Sequence, residues 1–248
     1  MARATSGWLA AGIAGTGLVL AGCAGAPADD RPVVRIVEAA QPSPAIPLAP
    51  FLPTAMELST VLGTGPNGLM GRAVEGDADV LLTSVGDGQA APPECVSAPY
   101  RFQEIVYDAA PVQSAASNTW AGGGFDGPPV SVFVGVVQMA SPAAAQDFFA
   151  SVTDRWRRCN GQTVSLDAPV HGADELSRIT DVSFGDHVIA ANVLHASGGT
   201  GSSTGLRAVG LAGDCIVEVE LTDPRPAGHA LGAIEVVDVI RDKITAVR

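Results

Sequence analysis

The 248-residue chain carries few side chains whose types and spacing could do chemistry together. Its cysteines are Cys23, Cys95, Cys159 and Cys215, and its histidines are His171, His187, His195 and His229. No two cysteines fall in a two-to-four-residue window and the histidines are scattered, so no zinc centre is expected. There is no G-x-S-x-G elbow, H-E-x-x-H helix or Cys-His arrangement, and Asp77, Asp79, Asp174 and Glu175 read as solvated loop acids. Gly63-Thr64-Gly65-Pro66-Asn67-Gly68 has the spelling of a dinucleotide fingerprint, but it follows a helical segment and contains Pro66, so it reads as a loop. The glycine-rich run from Ser197 to Ser203 lacks the lysine of a phosphate-binding loop. The expectation is therefore a protein with no catalytic residues, no metal and no cofactor.

One cysteine does have a chemical context. A short basic start, Met1-Ala2-Arg3, precedes an uncharged stretch from Ala4 to Leu20 and then Leu20-Ala21-Gly22-Cys23. That is the layout of a bacterial lipoprotein signal: small residues let a peptidase reach the backbone, and the Cys23 thiol is the nucleophile for diacylglyceryl transfer. The apolar run is too short to span a bilayer comfortably. Residues 1–22 are expected to be removed, with a lipid on Cys23 holding the protein on the extracytoplasmic face of the cell membrane. Cys95, Cys159 and Cys215 would then occupy a compartment that permits disulfides, and spacing alone allows any of three pairings.

The charge balance narrows the partners. Lys and Arg number 14 against 26 Asp and Glu, a formal charge of −12, so a nucleic-acid partner is not expected. Charged residues make up only 16% and apolar ones 47%, which suits a chain that buries a core. Residues 23–51 are rich in proline and alanine and read as an extended tether, with the folded domain over 52–248.

Within that domain, Thr54-Ala55-Met56-Glu57 is a capping box that opens a short helix ended by Gly63. Gln103–Asp108 and Val130–Met139 read as strands, the second covered on both faces because nearly every position is apolar or small. Ser141-Pro142 opens a helix whose Ala145, Phe148, Phe149, Val152 and Trp156 form one stripe. Arg155, Arg157 and Arg158 cluster in its last turn, either as a solvated helix end or as a small anion site. Arg178–Phe184 with His187–Ala196, and Leu206–Ala212 with Cys215–Leu221, read as hairpins around Gly185-Asp186 and Gly213-Asp214, each glycine supplying the positive φ of a type II′ turn. In the last strand Cys215, Val217, Val219 and Leu221 alternate with Glu218 and Glu220, which turns Cys215 inward. Leu231, Ile234, Val237, Ile240 and Ile244 mark a closing amphipathic helix.

The order of these pieces resembles the PknH-like extracellular sensor domain found in a mycobacterial serine/threonine kinase and a group of mycobacterial lipoproteins. The words that carry the resemblance are Leu52-Pro53-Thr54-Ala55-Met56-Glu57-Leu58, Asp79-Val80-Leu81-Leu82-Thr83, Pro93-Glu94-Cys95-Val96-Ser97-Ala98, Val137-Gln138-Met139 with the helix from Ser141, and Trp156-Arg157-Arg158-Cys159. Leu206-Arg207-Ala208-Val209 and the closing helix continue it. The resemblance implies an α/β (α+β) fold, a twisted antiparallel sheet with amphipathic helices packed on it, and an open cleft for a ligand. It implies a Cys95–Cys159 disulfide. The family's second pair falls on non-cysteines near Gly205 and Thr222, leaving Cys215 a buried thiol.

The function expected is a lipid-anchored, non-catalytic domain that captures an extracytoplasmic small molecule, lipid or envelope fragment. The alternative is an interaction module that docks to another envelope protein. Trp120 and Phe125, two of the scarce aromatics in the glycine-rich stretch 120–125, are the leading ligand-contact candidates together with Tyr107.

Overall fold

The computed structural model describes residues 42–63, 69–122, 130–167, 175–197, 203–223 and 232–248. Nine strands form one sheet: β1 (Met70–Gly76), β2 (Ala90–Ala91), β3 (Val112–Gly122), β4 (Val130–Met139), β5 (Thr163–Leu166), β6 (Glu175–Phe184), β7 (Val188–Ser197), β8 (Ser203–Ala212) and β9 (Cys215–Thr222). Their order is β1-β3-β4-β9-β8-β7-β6-β5-β2, and every pairing is antiparallel. The helices are α1 (Ala55–Leu62), α2 (Glu104–Tyr107), α3 (Pro142–Cys159) and α4 (Gly232–Val247).

The sheet is clad on both faces. On one side α3 and the segment around Phe102 cover Phe133, Val137, Ile179, Ile189 and Val209. On the other, α1 and α4 cover Val132, Val134, Val136, Val217 and Val219. Central strands β4 and β9 thus bury both faces, which is why residues 130–137 lack the alternation of a half-exposed strand. Gly135 is required by packing: a Cβ there would lie 2.5 Å from the Phe102 ring.

Local signals translate directly into caps. Thr54 and Glu57 form the reciprocal capping box of α1, and Gly63 ends that helix at φ 61°. The Ser141 hydroxyl caps α3 by accepting from the Ala144 amide, and Ala145, Phe149, Val152 and Trp156 are buried beneath the helix. Gly213 has φ 60° and Asp214 does not share it, as a type II′ hairpin requires. Gly185 has no positive φ, so the β6–β7 connection is of another kind; there the Gly185 amide bonds Val188 O.

Four other expectations are corrected. Gln103–Asp108 is not a strand but holds the single helical turn α2; an apolar run this short carries no decisive period, and Phe102, at φ 55°, redirects the chain just before it. Trp120 lies in β3, not in a loop, because β1 and β4 hydrogen-bond its strand from both sides despite its run of small polar residues. Glu175 stands on β6 and is no loop acid. The end of the proline-rich stretch is part of the fold: Leu48 is fully buried, and buried Gln138 accepts from the Ile46 amide and donates to Pro44 O.

Cys95 and Cys159 are bonded, tying the 3-10 turn Pro93–Cys95 to the C-terminus of α3 across a separation of 64 residues. Cys215 is free and buried at the start of β9, and burial, with the Asp214 carboxylate beside it, pushes its thiol up to about 12. Replacing both Cys95 and Cys159 by alanine is expected to lower unfolding free energy by about 4 kcal/mol, from the loop entropy released. Denaturant titration checks this, and Cys215→Ser should leave the oxidised protein's disulfide content unchanged.

Candidate ligand-binding cleft

The site is built on a buried ion pair. Arg207 of β8 is fully buried, and its guanidinium spends its donors on fixed acceptors: Nε to Ala98 O at 3.0 Å, Nη1 to Val219 O at 3.1 Å, and Nη2 to Ser97 O at 3.3 Å and Glu218 Oε2 at 2.7 Å. Glu218 of β9 also accepts from the Phe102 amide at 3.0 Å and from the Tyr107 hydroxyl at 2.5 Å. Burial and the charge of Glu218 push the Tyr107 hydroxyl well above its ordinary range, so it stays a donor. The contiguous stretch of 97–102 and α2 is locked to the β8–β9 pair at this point. From the other side, Trp156 Nε1 donates to Ser97 Oγ at 3.1 Å.

The wall fixed in this way bounds a cleft of about 290 Å³. Tyr100, Arg101 and Gln103 form one side, and Glu175, His195 and Glu220 lie on the sheet. Gln103 is pinned: its Oε1 accepts from Ser84 Oγ and the Val85 amide, both at 3.0 Å, while its Nε2 donates to Arg101 O at 2.9 Å. Arg101 is ion-paired with Glu220, and its guanidinium lies 4.7 Å above the Phe133 ring. Backbone bonds from the Leu82 amide to Phe102 O and from the Glu104 amide to Leu82 O, each 2.8 Å, brace the wall from behind.

Ser177, His195 and Glu175 come together as a triad would, but not in a working order. Ser177 Oγ lies 2.9 Å from His195 Nδ1, and Glu175 Oε1 lies 3.6 Å from that same nitrogen. A catalytic triad needs the hydroxyl on one ring nitrogen and the acid on the other. Ser177 is also fully buried, with its hydroxyl donating to Tyr100 OH at 3.3 Å, so no substrate reaches it. Burial lowers the His195 pKa against the opposing pull of Glu220 and Glu175, which keeps the ring neutral near pH 7. Burial raises Tyr100 to about 12, leaving its hydroxyl protonated. The cleft therefore presents the neutral Tyr100, Gln103 and His195 side chains beside the Arg101–Glu220 pair and the Glu175 carboxyl group. Among the described residues no cluster of three or more His, Cys, Asp or Glu is placed to hold a metal ion.

The residues singled out from sequence are placed apart. Tyr107 is 2% exposed and stacked on Phe148 at 4.6 Å, so it is a core anchor, not a cleft contact. Trp120 is half-buried on β3 with its ring against Gly71 of β1, away from the cleft lining. Phe125 and Cys23 lie outside the described residues. Arg157 and Arg158 are in the last turn of α3, and Arg155 precedes it; Arg157 pairs with Asp154 at 2.5 Å and lies over the Phe184 ring. Residues 205 and 222, near the positions implied for the family's second disulfide, sit one step beyond the Leu206↔Leu221 pair, and a Cβ on Gly205 would lie 3.5 Å from His195 Nε2. His195 thus stands beside that spot. Sequence reasoning missed His195, Arg101 and Arg207; the signal available for Arg207 was a lone arginine within an apolar strand.

A nine-stranded antiparallel sheet with helices packed on both faces defines an α+β domain. The profile of the PknH-like extracellular domain matches residues 43–243, and the chain belongs to that family. The crystal structure of the extracellular domain of PknH from Mycobacterium tuberculosis is similar at TM-score 0.67 and 19% identity, covering 83% of this chain and 98% of that one, which establishes the shared fold. A crystal structure of an uncharacterised protein from Mycobacterium smegmatis is more loosely similar, at TM-score 0.43 and 12% identity over 77% of this chain and 98% of that one. No curated protein sequence matches the chain.

Two outcomes follow from the buried pair and its histidine neighbour. Glu218→Leu strands the Arg207 charge and is expected to cost about 3–5 kcal/mol, with the Arg207→Met/Glu218→Leu double variant losing less than the two single losses summed. Denaturant titrations of all four proteins measure the coupling. A histidine whose folded pKa lies below its unfolded value destabilises the fold as pH falls through the unfolded value, about 6.5, because the unfolded chain takes the proton first. His195→Gln should flatten the stability profile between pH 7.5 and pH 5.5.

Proposed function

We propose that the protein is a non-catalytic binding domain that captures a small polar molecule from outside the cytoplasmic membrane, the pocket being the cleft between Tyr100–Gln103 and His195. The observation that carries this reading is the prior fixing of the cleft's polar groups. Arg101, Gln103, Tyr100 and His195 already have partners that orient them, so a ligand with matched donors and acceptors would pay little ordering entropy. The family's extracellular character supports the compartment. Diacylglyceryl attachment at Cys23 would hold the domain at the membrane. Among the described residues no helix is long and apolar enough to cross a membrane.

The test is a thermal-shift screen of the oxidised chain from Ala24, which retains the whole described fold, against soluble glycans, peptidoglycan fragments, envelope lipids and small metabolites. A ligand at a hundred times its Kd adds about 2.7 kcal/mol. The shift should be saturable, be lost in Arg101→Ala/His195→Ala and be retained in Trp120→Ala. A shift that survives the cleft variant but disappears in Trp120→Ala would move the site to β3. For the anchor, Cys23→Ala should move the protein from the membrane fraction to the soluble fraction; continued membrane association would rule out lipidation at that residue.

A further inference from the structure

The charges that line the cleft do not balance. Glu175 and Glu220 bring two carboxylates against the single guanidinium of Arg101, which is already paired with Glu220. Beneath them Arg207 and Glu218 offset each other and supply no counter-charge. Glu175 is partly exposed, and its carboxylate has only the neutral His195 ring beside it, with Nδ1 at 3.6 Å, too far for a hydrogen bond. Among the described residues no lysine or arginine pairs with it. The cleft thus holds one carboxylate more than it has cations, in a chain whose formal charge of −12 also favours approach of positive charge.

The hydrogen bonds leave a further acceptor at the same place. Because the Ser177 hydroxyl donates to Tyr100 OH, its oxygen receives the proton of His195 Nδ1, and the neutral ring keeps a lone pair on Nε2. The strand register sets Glu220 and Thr222 of β9, Gly205 of β8, His195 of β7 and Glu175 of β6 on one face of the sheet. A Cβ on Gly205 would meet Nε2 at 3.5 Å and nothing nearer, so the missing side chain leaves that nitrogen uncovered toward β8. Burial keeps the ring neutral, with Arg207 and Arg101 acting in the same sense, although Glu220 and Glu175 both favour positive charge there. An ammonium brought by a ligand answers that demand.

Its remaining groups would meet hydroxyls. Tyr100 keeps its O–H for donation, and Ser84 and Thr222 also line the cleft. Among the described residues no ligand set suits a metal ion, so the matching cation is organic. A volume of about 290 Å³ lies at the lower limit of small-molecule pockets and suits one compact molecule.

On the reading that this cleft takes a small polar molecule, we propose that its ligand is a hydroxylated primary amine, the ammonium held by Glu175, Glu220 and His195 Nε2 and the hydroxyls by Tyr100, Ser84 and Thr222. Amide chemical-shift titrations of the labelled chain from Ala24 at pH 7 test this with ethanolamine, ethylene glycol and glycolate, which share a carbon frame and differ in the charge of one end. Ethanolamine is expected to shift the Arg101, His195 and Gly205 amides saturably, at lower concentration than either analogue. Glu175→Gln should weaken it at least fivefold, and Glu235→Gln, exposed on α4, should leave it unchanged. Glucosamine against glucose then separates the sources of the amine: binding tighter than ethanolamine supports an amino sugar, and weaker binding supports an amino-alcohol headgroup. Affinity for ethylene glycol or glycolate equal to that for ethanolamine, read at the same amides, would overturn the amine class and leave the cleft standing. Unchanged ethanolamine affinity in Glu175→Gln would overturn it equally, and no shift at those amides with any probe would overturn both readings.

Discussion

A guanidinium with no access to water has to find its hydrogen bonds inside the protein, and Arg207 finds them by holding the 97–102 segment against the sheet. An unpaired buried charge costs several kcal/mol, so Ala98 O, Ser97 O, Val219 O and Glu218 are obligatory neighbours. Because Glu218 also receives the Phe102 amide and the Tyr107 hydroxyl, the same pair positions α2 and keeps Phe102 in its left-handed conformation. The Cys95–Cys159 bond and the Trp156–Ser97 hydrogen bond secure this segment from α3. The cleft wall is thus over-determined, and its rigidity is a consequence of what lies beneath it.

The site occupies the end of the sheet face that the helices leave open. Toward α3, that face is filled by Phe102, Phe133, Phe149 and Trp156; past Glu218 it turns polar, with Glu220, Thr222, His195 and Glu175 along the cleft. The change occurs within single strands. Glu218 and Glu220 share a face of β9, yet the first is sealed by Arg207 and the second pairs with Arg101 at the cleft. Alternation set the direction of these side chains, and the reach of the covering segment decided which became structural.

Much of the scaffold was legible because its signals are local. The α1 capping box, the Ser141 cap, the α3 stripe and the Gly213 turn depend on neighbours within a few residues, and each took the form expected. The disulfide followed from family resemblance, since spacing left three pairings open. The strands β1 and β3 were not legible: β3 is mostly small and polar residues and β1 is broken by Gly71 and Gly76 and lacks a clean alternation, so pairing supplies what propensity lacks. For the same reason Trp120 looked like a loop aromatic. The cleft was invisible because Arg101, Glu175, His195 and Glu220 are brought together only by the sheet order β9-β8-β7-β6 and by the segment that Arg207 holds over it.

The most direct test of the cleft as the working site is amide chemical-shift mapping of the isotopically labelled chain, titrated with soluble envelope fragments. The account predicts saturable changes concentrated at Tyr100–Gln103, Glu175, His195 and Thr222, with Trp120 unaffected. Changes confined to β3 and β1, with the amides around Arg101 and His195 unmoved, would contradict it.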